Sequence, residues 1–214
     1  GRYENVLTNS GFETSNTGIP DYWTATTGTG GVHIDVLTAA AYTGTYGLAF
    51  VGDGLTQPKI TQVLKTASDT NGALTPDRPY ILSMWCKQNG TVSAGSGSIQ
   101  ISVQDGSGNI LNSGAFAASF DASLLSSSTW TNVKTSLQLT TKHSWTSEAK
   151  VVINMTGSLN AKSRVYVDEV VLAELKQFHA GGPALAITSG STPWINNDQL
   201  YVSLTNNAEG EVHK

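Results

Sequence analysis

Between Ser98 and Asp105 the chain reads Ser-Ile-Gln-Ile-Ser-Val-Gln-Asp, with polar and apolar residues alternating at every step. A period of two marks a strand with one face on a core and the other turned away from it. Ile99, Ile101 and Val103 are the core side, and Gln100, Ser102 and Gln104 the other. Strand-like segments recur at Val32–Val36, Leu48–Val51, Ile60–Leu64, Tyr80–Lys87, Trp130–Leu139 and Ala149–Met155. No stretch shows a convincing amphipathic helix. Charged residues are 13% of the chain, too few to dress exposed helix faces, while 22 glycines with many Ser, Thr and Asn supply turns. The pattern predicts an all-β protein, an antiparallel sandwich or jelly roll of about ten strands. A short helical turn is expected at Ala122–Leu125, a hairpin at Asp105–Asn109, and another through Gly157–Lys162.

The closing strand is the most unusual. Arg164–Leu175 reads RVYVDEVVLAEL, alternating up to Asp168 and then breaking into the apolar run Val170-Val171-Leu172. A carboxylate buried in such a strand requires a cation, a metal or several hydrogen-bond donors. At the other end, Asn5-Val-Leu-Thr-Asn9 reads as a first strand entering the turn Ser10-Gly-Phe-Glu13. The two stretches bracket one domain, residues 1–174. Residues 175–214 form a separate C-terminal β-appendage, in which Ala184–Ile187 and Leu200–Leu204 are expected to pair as a hairpin. A two-stranded ribbon is marginal alone, so this tail is expected to make intermolecular contacts, self-association into a homo-oligomer being the simplest case.

Four motifs in order, NVLTNSGFE, Pro20-x-x-Trp23, AAAYTGTYGLAF and VYVDEVVL, resemble the carbohydrate-binding modules appended to bacterial xylanases and cellulases. The resemblance runs from Asn5 to about Glu174. It implies a jelly-roll sandwich of the galactose-binding-like type. It also implies a structural calcium between the first turn and the last strand, at Glu13 and Asp168, with carbonyls around residues 43–46 completing the shell. The alternative reading of both residues is that they accept backbone hydrogen bonds. For sugar recognition the expected set is Trp85, which alternates away from Leu82 and Met84, with Gln100 and Gln104 as hydrogen-bonding partners and Trp145 as an edge wall. Trp23 and Trp130 are read as structural.

Other chemistries find little footing. The formal net charge is −4 with no basic run, which argues against nucleic acid as a partner, and no membrane insertion is expected. The four histidines lack metal-ligand spacing, no G-x-S-x-G elbow occurs, and the chain reads as non-enzymatic. Cys86, the lone cysteine, reads as a small buried hydrophobe. Two function classes then compete. One is a virion structural protein, such as a capsid decoration, fibre or tail component, bound to other virion or surface proteins. The other is a genuine glycan-binding module at the cell surface or outside the cell. The strand-bearing tail and the low charge favour the first at this level.

Overall fold

In the computed structural model of the chain, residues 4–65, 74–75, 78–138 and 148–175 are described, with four short strands beyond residue 194. Two small strands, β1 (Ser15–Asn16) and β2 (Ile19–Pro20), open the domain. The sandwich strands follow as β3 (Thr24–Thr27), β4 (Ile34–Leu37), β5 (Gly47–Val51), β6 (Lys59–Lys65) and β7 (Pro79–Gln88). They continue as β8 (Ser98–Asp105), β9 (Ala117–Asp121), β10 (Thr131–Gln138), β11 (Ala149–Met155) and β12 (Arg164–Glu174). The first sheet has the order β10-β7-β12-β5-β4 and the second β3-β6-β11-β8-β9, all pairings antiparallel. Among the described residues the helical content is two 3-10 turns, Thr38–Ala40 and Ala122–Leu124.

The period of two explains the layers. Leu82, Met84 and Cys86 of β7 and Val165 and Val167 of β12 point inward from the first sheet. Ile99, Ile101 and Val103 of β8 and Val151, Ile153 and Met155 of β11 meet them from the second. All are closed to solvent, and each large aliphatic side chain so buried stabilises the fold by about 1.5–3 kcal/mol. Burial also pushes the Cys86 thiol far up, so it stays protonated.

Among the described strands from β3 to β12, β4–β5 and β8–β9 are hairpins within one sheet, and every other step crosses between sheets. The turn through residues 157–162 therefore carries the chain from β11 in the second sheet to β12 in the first, rather than making the expected hairpin. Within β12 the register shifts between Asp168 and Val171, and Glu169 has φ +48°. This bulge inserts one residue, so Val170 returns to the core although Asp168, two positions earlier, faces outward.

The N-terminal segment is not a full strand. Asn5 makes one bridge to Ala173, the Val6 N–H donates to the Leu172 carbonyl (2.8 Å) and the Val170 N–H to the Ser10 carbonyl (3.0 Å), and the Asn5 side-chain amide adds two bonds more. Nδ2 donates to the Val170 carbonyl (2.8 Å), and Oδ1 accepts from the Leu172 N–H (3.1 Å). Residues 176–214 form a second unit. Its described strands pair as β13 (Ile195–Asn196) with β14 (Gln199–Leu200) and β15 (Leu204–Asn206) with β16 (Glu211–His213). Leu200 and Leu204 thus belong to two different ribbons, and Ala184–Ile187 lies outside the described residues.

Candidate functional site

Among the described residues, four places on the sandwich bring chemistry-bearing side chains together. The first is an acidic corner. Asp168, fully buried on the outer side of β12, accepts from the N–H groups of Tyr42 (2.7 Å) and Thr43 (3.1 Å) at Oδ2 and of Glu169 (2.8 Å) at Oδ1. Glu13 accepts from the Thr45 N–H at both carboxylate oxygens (3.1 Å each), and Glu169 accepts from the Thr43 hydroxyl. All three acids thus hold the loop of residues 42–46. Gly44 has φ +71° there, and a Cβ on it would run into Glu13 Oε1. Burial pushes the Asp168 carboxyl up to about 6; the three N–H groups pull it down, and the charge of Glu169 adds to the rise.

Among the described residues no three His, Cys, Asp or Glu side chains are grouped as a metal centre. The corner nevertheless offers oxygens to a hard cation. Asp168 Oδ1 and Glu13 Oε2 each accept a single N–H, leaving lone-pair capacity. Gly11 lies against the same acids, since a Cβ on it would touch Glu169 Oε1 at 3.4 Å and Asp168 Oδ1 at 3.9 Å. A calcium ion takes such oxygens together with backbone carbonyls.

The second place is aromatic and lies on the outer face of the first sheet. Tyr42 stacks on Trp85 at 4.5 Å between ring centroids, with the planes 19° apart. Trp130 meets Tyr42 edge-on at 5.5 Å, and the Lys87 ammonium sits 5.0 Å from the Trp130 centroid. Tyr42 is placed there by its own N–H bond to Asp168, the residue opposite Trp85 in the ladder. Trp85 is half-buried beneath it, leaving Tyr42 as the more open ring.

The third is the outer face of the second sheet. Thr61, Val152, Ser102 and Ala117 form its central row. Gln100 and Asn154 lie on one side of that row; Gln104, Lys150 and Val63 lie on the other. Val152 and Ser102 are closed to solvent although they point away from the core, and Gln104 Nε2 donates to Ser102 Oγ at 3.0 Å. The result is a sealed floor flanked by half-buried amides.

Just before the edge strand β3 stands Tyr22, 73% exposed and at φ +68°. That conformation costs a bulky residue about 1–3 kcal/mol. The backbone around it is over-determined. Gln62, buried under the turn, donates to the Tyr22 carbonyl (3.4 Å) while exchanging two hydrogen bonds with Thr8, and the Trp23 N–H donates to the Pro20 carbonyl. Trp23 itself is core, its ring 5.6 Å from Phe12.

No protein-family model matches the sequence, and no curated protein does. Solved structures do match. A family 61 carbohydrate-binding module in complex with β-1,4-galactotriose superposes with a TM-score of 0.52 at 19% identity, over 79% of this chain and 97% of that one. In fold, the chain is similar to carbohydrate-binding modules. A family 16 module (TM-score 0.47, 20% identity, 68% and 89% covered) also matches. So does the xylan-binding family 22 module of Paenibacillus barcinonensis Xyn10C (TM-score 0.46, 18% identity, 82% and 97% covered).

Against this module-like sandwich the expected sugar site divides. Trp85 is on the outer face of the first sheet, whereas Gln100 and Gln104 are on the outer face of the second, because β7 and β8 belong to different sheets. They do not form one site. The ring face of Trp85 is also taken by Tyr42. Trp145 lies outside the described residues. Glu13 and Asp168 do converge, on one loop, with Glu169 as a third acid that sequence reading passed over. Tyr22, Tyr42 and Asn154 were also missed; the only local signal was the pair of turn-rich contexts around the two tyrosines.

His33 forms a closed cluster at the opposite end of the strands. Its Nδ1 accepts the Thr29 N–H (3.0 Å), which places the ring proton on Nε2, donated to Asp53 Oδ2 (2.9 Å). The N–H groups of Thr56 and Leu55 hold the Asp53 carboxyl well below the usual carboxylate range.

Proposed function

We propose that this chain is a non-catalytic carbohydrate-binding module that takes a neutral polysaccharide across the outer face of its second sheet. The observation that carries the reading is the amide-flanked floor: Gln100, Gln104 and Asn154 around the sealed Ser102 and Val152. Primary amides donate and accept at once, which suits sugar hydroxyls, and a floor without free polar groups leaves nothing unsatisfied beneath a flat sugar ring. Tyr22, held open in a costly conformation at the sheet edge, supplies an aromatic surface for the apolar side of a pyranose. The galactotriose complex of the family 61 module supports the same reading. It favours a glycan-binding module over the virion structural protein anticipated from sequence.

Calcium at the acidic corner belongs to the same proposal, held by Glu13 and Asp168 with Glu169. It would offset the mutual repulsion of three carboxylates and clamp the first turn to β12. Affinity electrophoresis through gels containing β-1,4-galactan or xylan tests the binding. The wild type should be retarded, the double variant Gln100→Ala/Gln104→Ala should run free, and Tyr22→Ala should be weakened. Free migration of the wild type in both gels, or equal retardation of all three proteins, would overturn the reading.

A further inference from the structure

The aromatic cluster on the first sheet has no part in that function, and its composition points elsewhere. Trp85, Tyr42 and Trp130 make a continuous ring surface, open at Tyr42. Packing alone would explain rings. It does not explain the ammonium set among them: Lys87 is 5.0 Å from the Trp130 centroid, and among the described residues no carboxylate lies within 4.0 Å of it. Lys134, exposed and opposite Ser83 in the ladder, is likewise without an ion-pair partner among those residues. It shares the outer face of β10 with Asn132, which stands beside Trp85.

Ser83 and Lys87 are four residues apart, so the two cations flank the rings over about 13 Å of sheet, at about 3.3 Å per residue. That span suits an oligosaccharide better than a single sugar. The acids on this side are held by backbone donors rather than by cations, and Asp35, on the outer side of β4, accepts from the Val36 N–H (2.9 Å). Asp168, Glu169 and Glu13 are turned onto the N–H and hydroxyl donors of residues 42–46.

We propose that the outer face of the first sheet is a second binding site, which takes an acidic oligosaccharide with a sugar ring on Tyr42 and its carboxylate at Lys87. A uronic acid combines the two things the surface offers, an apolar ring face for an aromatic and an anion for a pre-positioned ammonium. The site is separate from the second-sheet face and does not depend on it.

The test is titration with tetragalacturonate, followed by tryptophan fluorescence, with a neutral galacto-oligosaccharide in parallel. Tetragalacturonate should bind saturably and change the emission of Trp85 and Trp130. Affinity should fall as NaCl rises from about 0.05 to about 0.5 M, because exposed charge pairs are screened over that range. Lys87→Gln should weaken it about fivefold, the effect of one partly exposed ion pair, and Lys87→Arg should restore most of it. Tyr42→Ala should abolish it. Lys87→Gln should leave the neutral sugar's affinity unchanged. An unchanged affinity of Lys87→Gln for tetragalacturonate at low salt, or no saturable binding by the wild type, would overturn the second site. Either outcome leaves the neutral-sugar arm to judge the second-sheet reading by itself.

Discussion

Asp168 should make the apo protein lose stability as pH rises through neutrality. Its carboxyl is fully buried, and burial raises it from 3.8 to about 6 despite three N–H donors. The folded chain therefore holds this proton more tightly than the unfolded chain. The contribution is whole below 3.8 and is lost as pH passes through about 6. The full difference is about 3 kcal/mol, of which about 2 kcal/mol falls between about pH 4.5 and about pH 8. For a chain of this size that is a fall of about 4–8 °C in Tm. Asp168→Asn removes the titration. Its remaining oxygen keeps the Tyr42 and Thr43 N–H groups, while its NH2 faces the Glu169 N–H, at a cost of about 1–3 kcal/mol that does not vary with pH. The assay is thermal unfolding in chelator at both pH values, for both proteins. Subtracting the variant's pH slope from that of the wild type isolates Asp168, because Asp53 titrates well below this window. Equal slopes for the two proteins would refute the argument.

Three further outcomes are expected. Calcium, unlike magnesium, should raise the wild-type Tm by about 5–10 °C at 100 times its dissociation constant, from about 2.7 kcal/mol of linkage, and Asp168→Asn should lose the effect; equal midpoints with calcium, magnesium and chelator would remove the ion from the account. Trp85→Ala should lower Tm by about 5–10 °C through loss of half-buried packing and the Tyr42 stack, while retention on neutral galactan is kept. Truncation after Glu174 should leave a folded domain, and comparing its sedimentation with that of the full chain measures whether residues 176–214 drive self-association.

The strands were legible wherever one face is buried. Ser98–Asp105 and Tyr80–Lys87 show their period of two because every second side chain enters the core, although Ser83 and Ser102 on the outer side are buried as well. The break after Glu169 was visible too, and it is the bulge that returns Val170 to the core. The oddity of Asp168 was also visible, but its donors were not, since Tyr42 and Thr43 are more than a hundred residues away in the chain. The separation of Trp85 from Gln100 and Gln104 was hidden for a related reason. Alternation tells which side of its own sheet a residue faces, not which sheet the strand joins, and β7 and β8 are consecutive yet in different sheets. Asn5–Asn9 looks like a strand by composition; its backbone bonds to β12 are few, and the Asn5 side chain supplements them. Tyr22 was hidden because a left-handed tyrosine has no sequence signature; the bonds of Gln62, Asn9 and Trp23 around its turn fix it.

The central claim is that a neutral glycan lies on the amide face of the second sheet. The most direct measurement is a 1H–15N NMR titration with a β-1,4-galacto-oligosaccharide. The account predicts saturable shifts in the side-chain amides of Gln100, Gln104 and Asn154 and in the backbone of Thr61, Val63, Lys150 and Tyr22, with the indoles of Trp85 and Trp130 unmoved. Shifts confined to those two indoles, or a spectrum unchanged at saturating sugar, would contradict it.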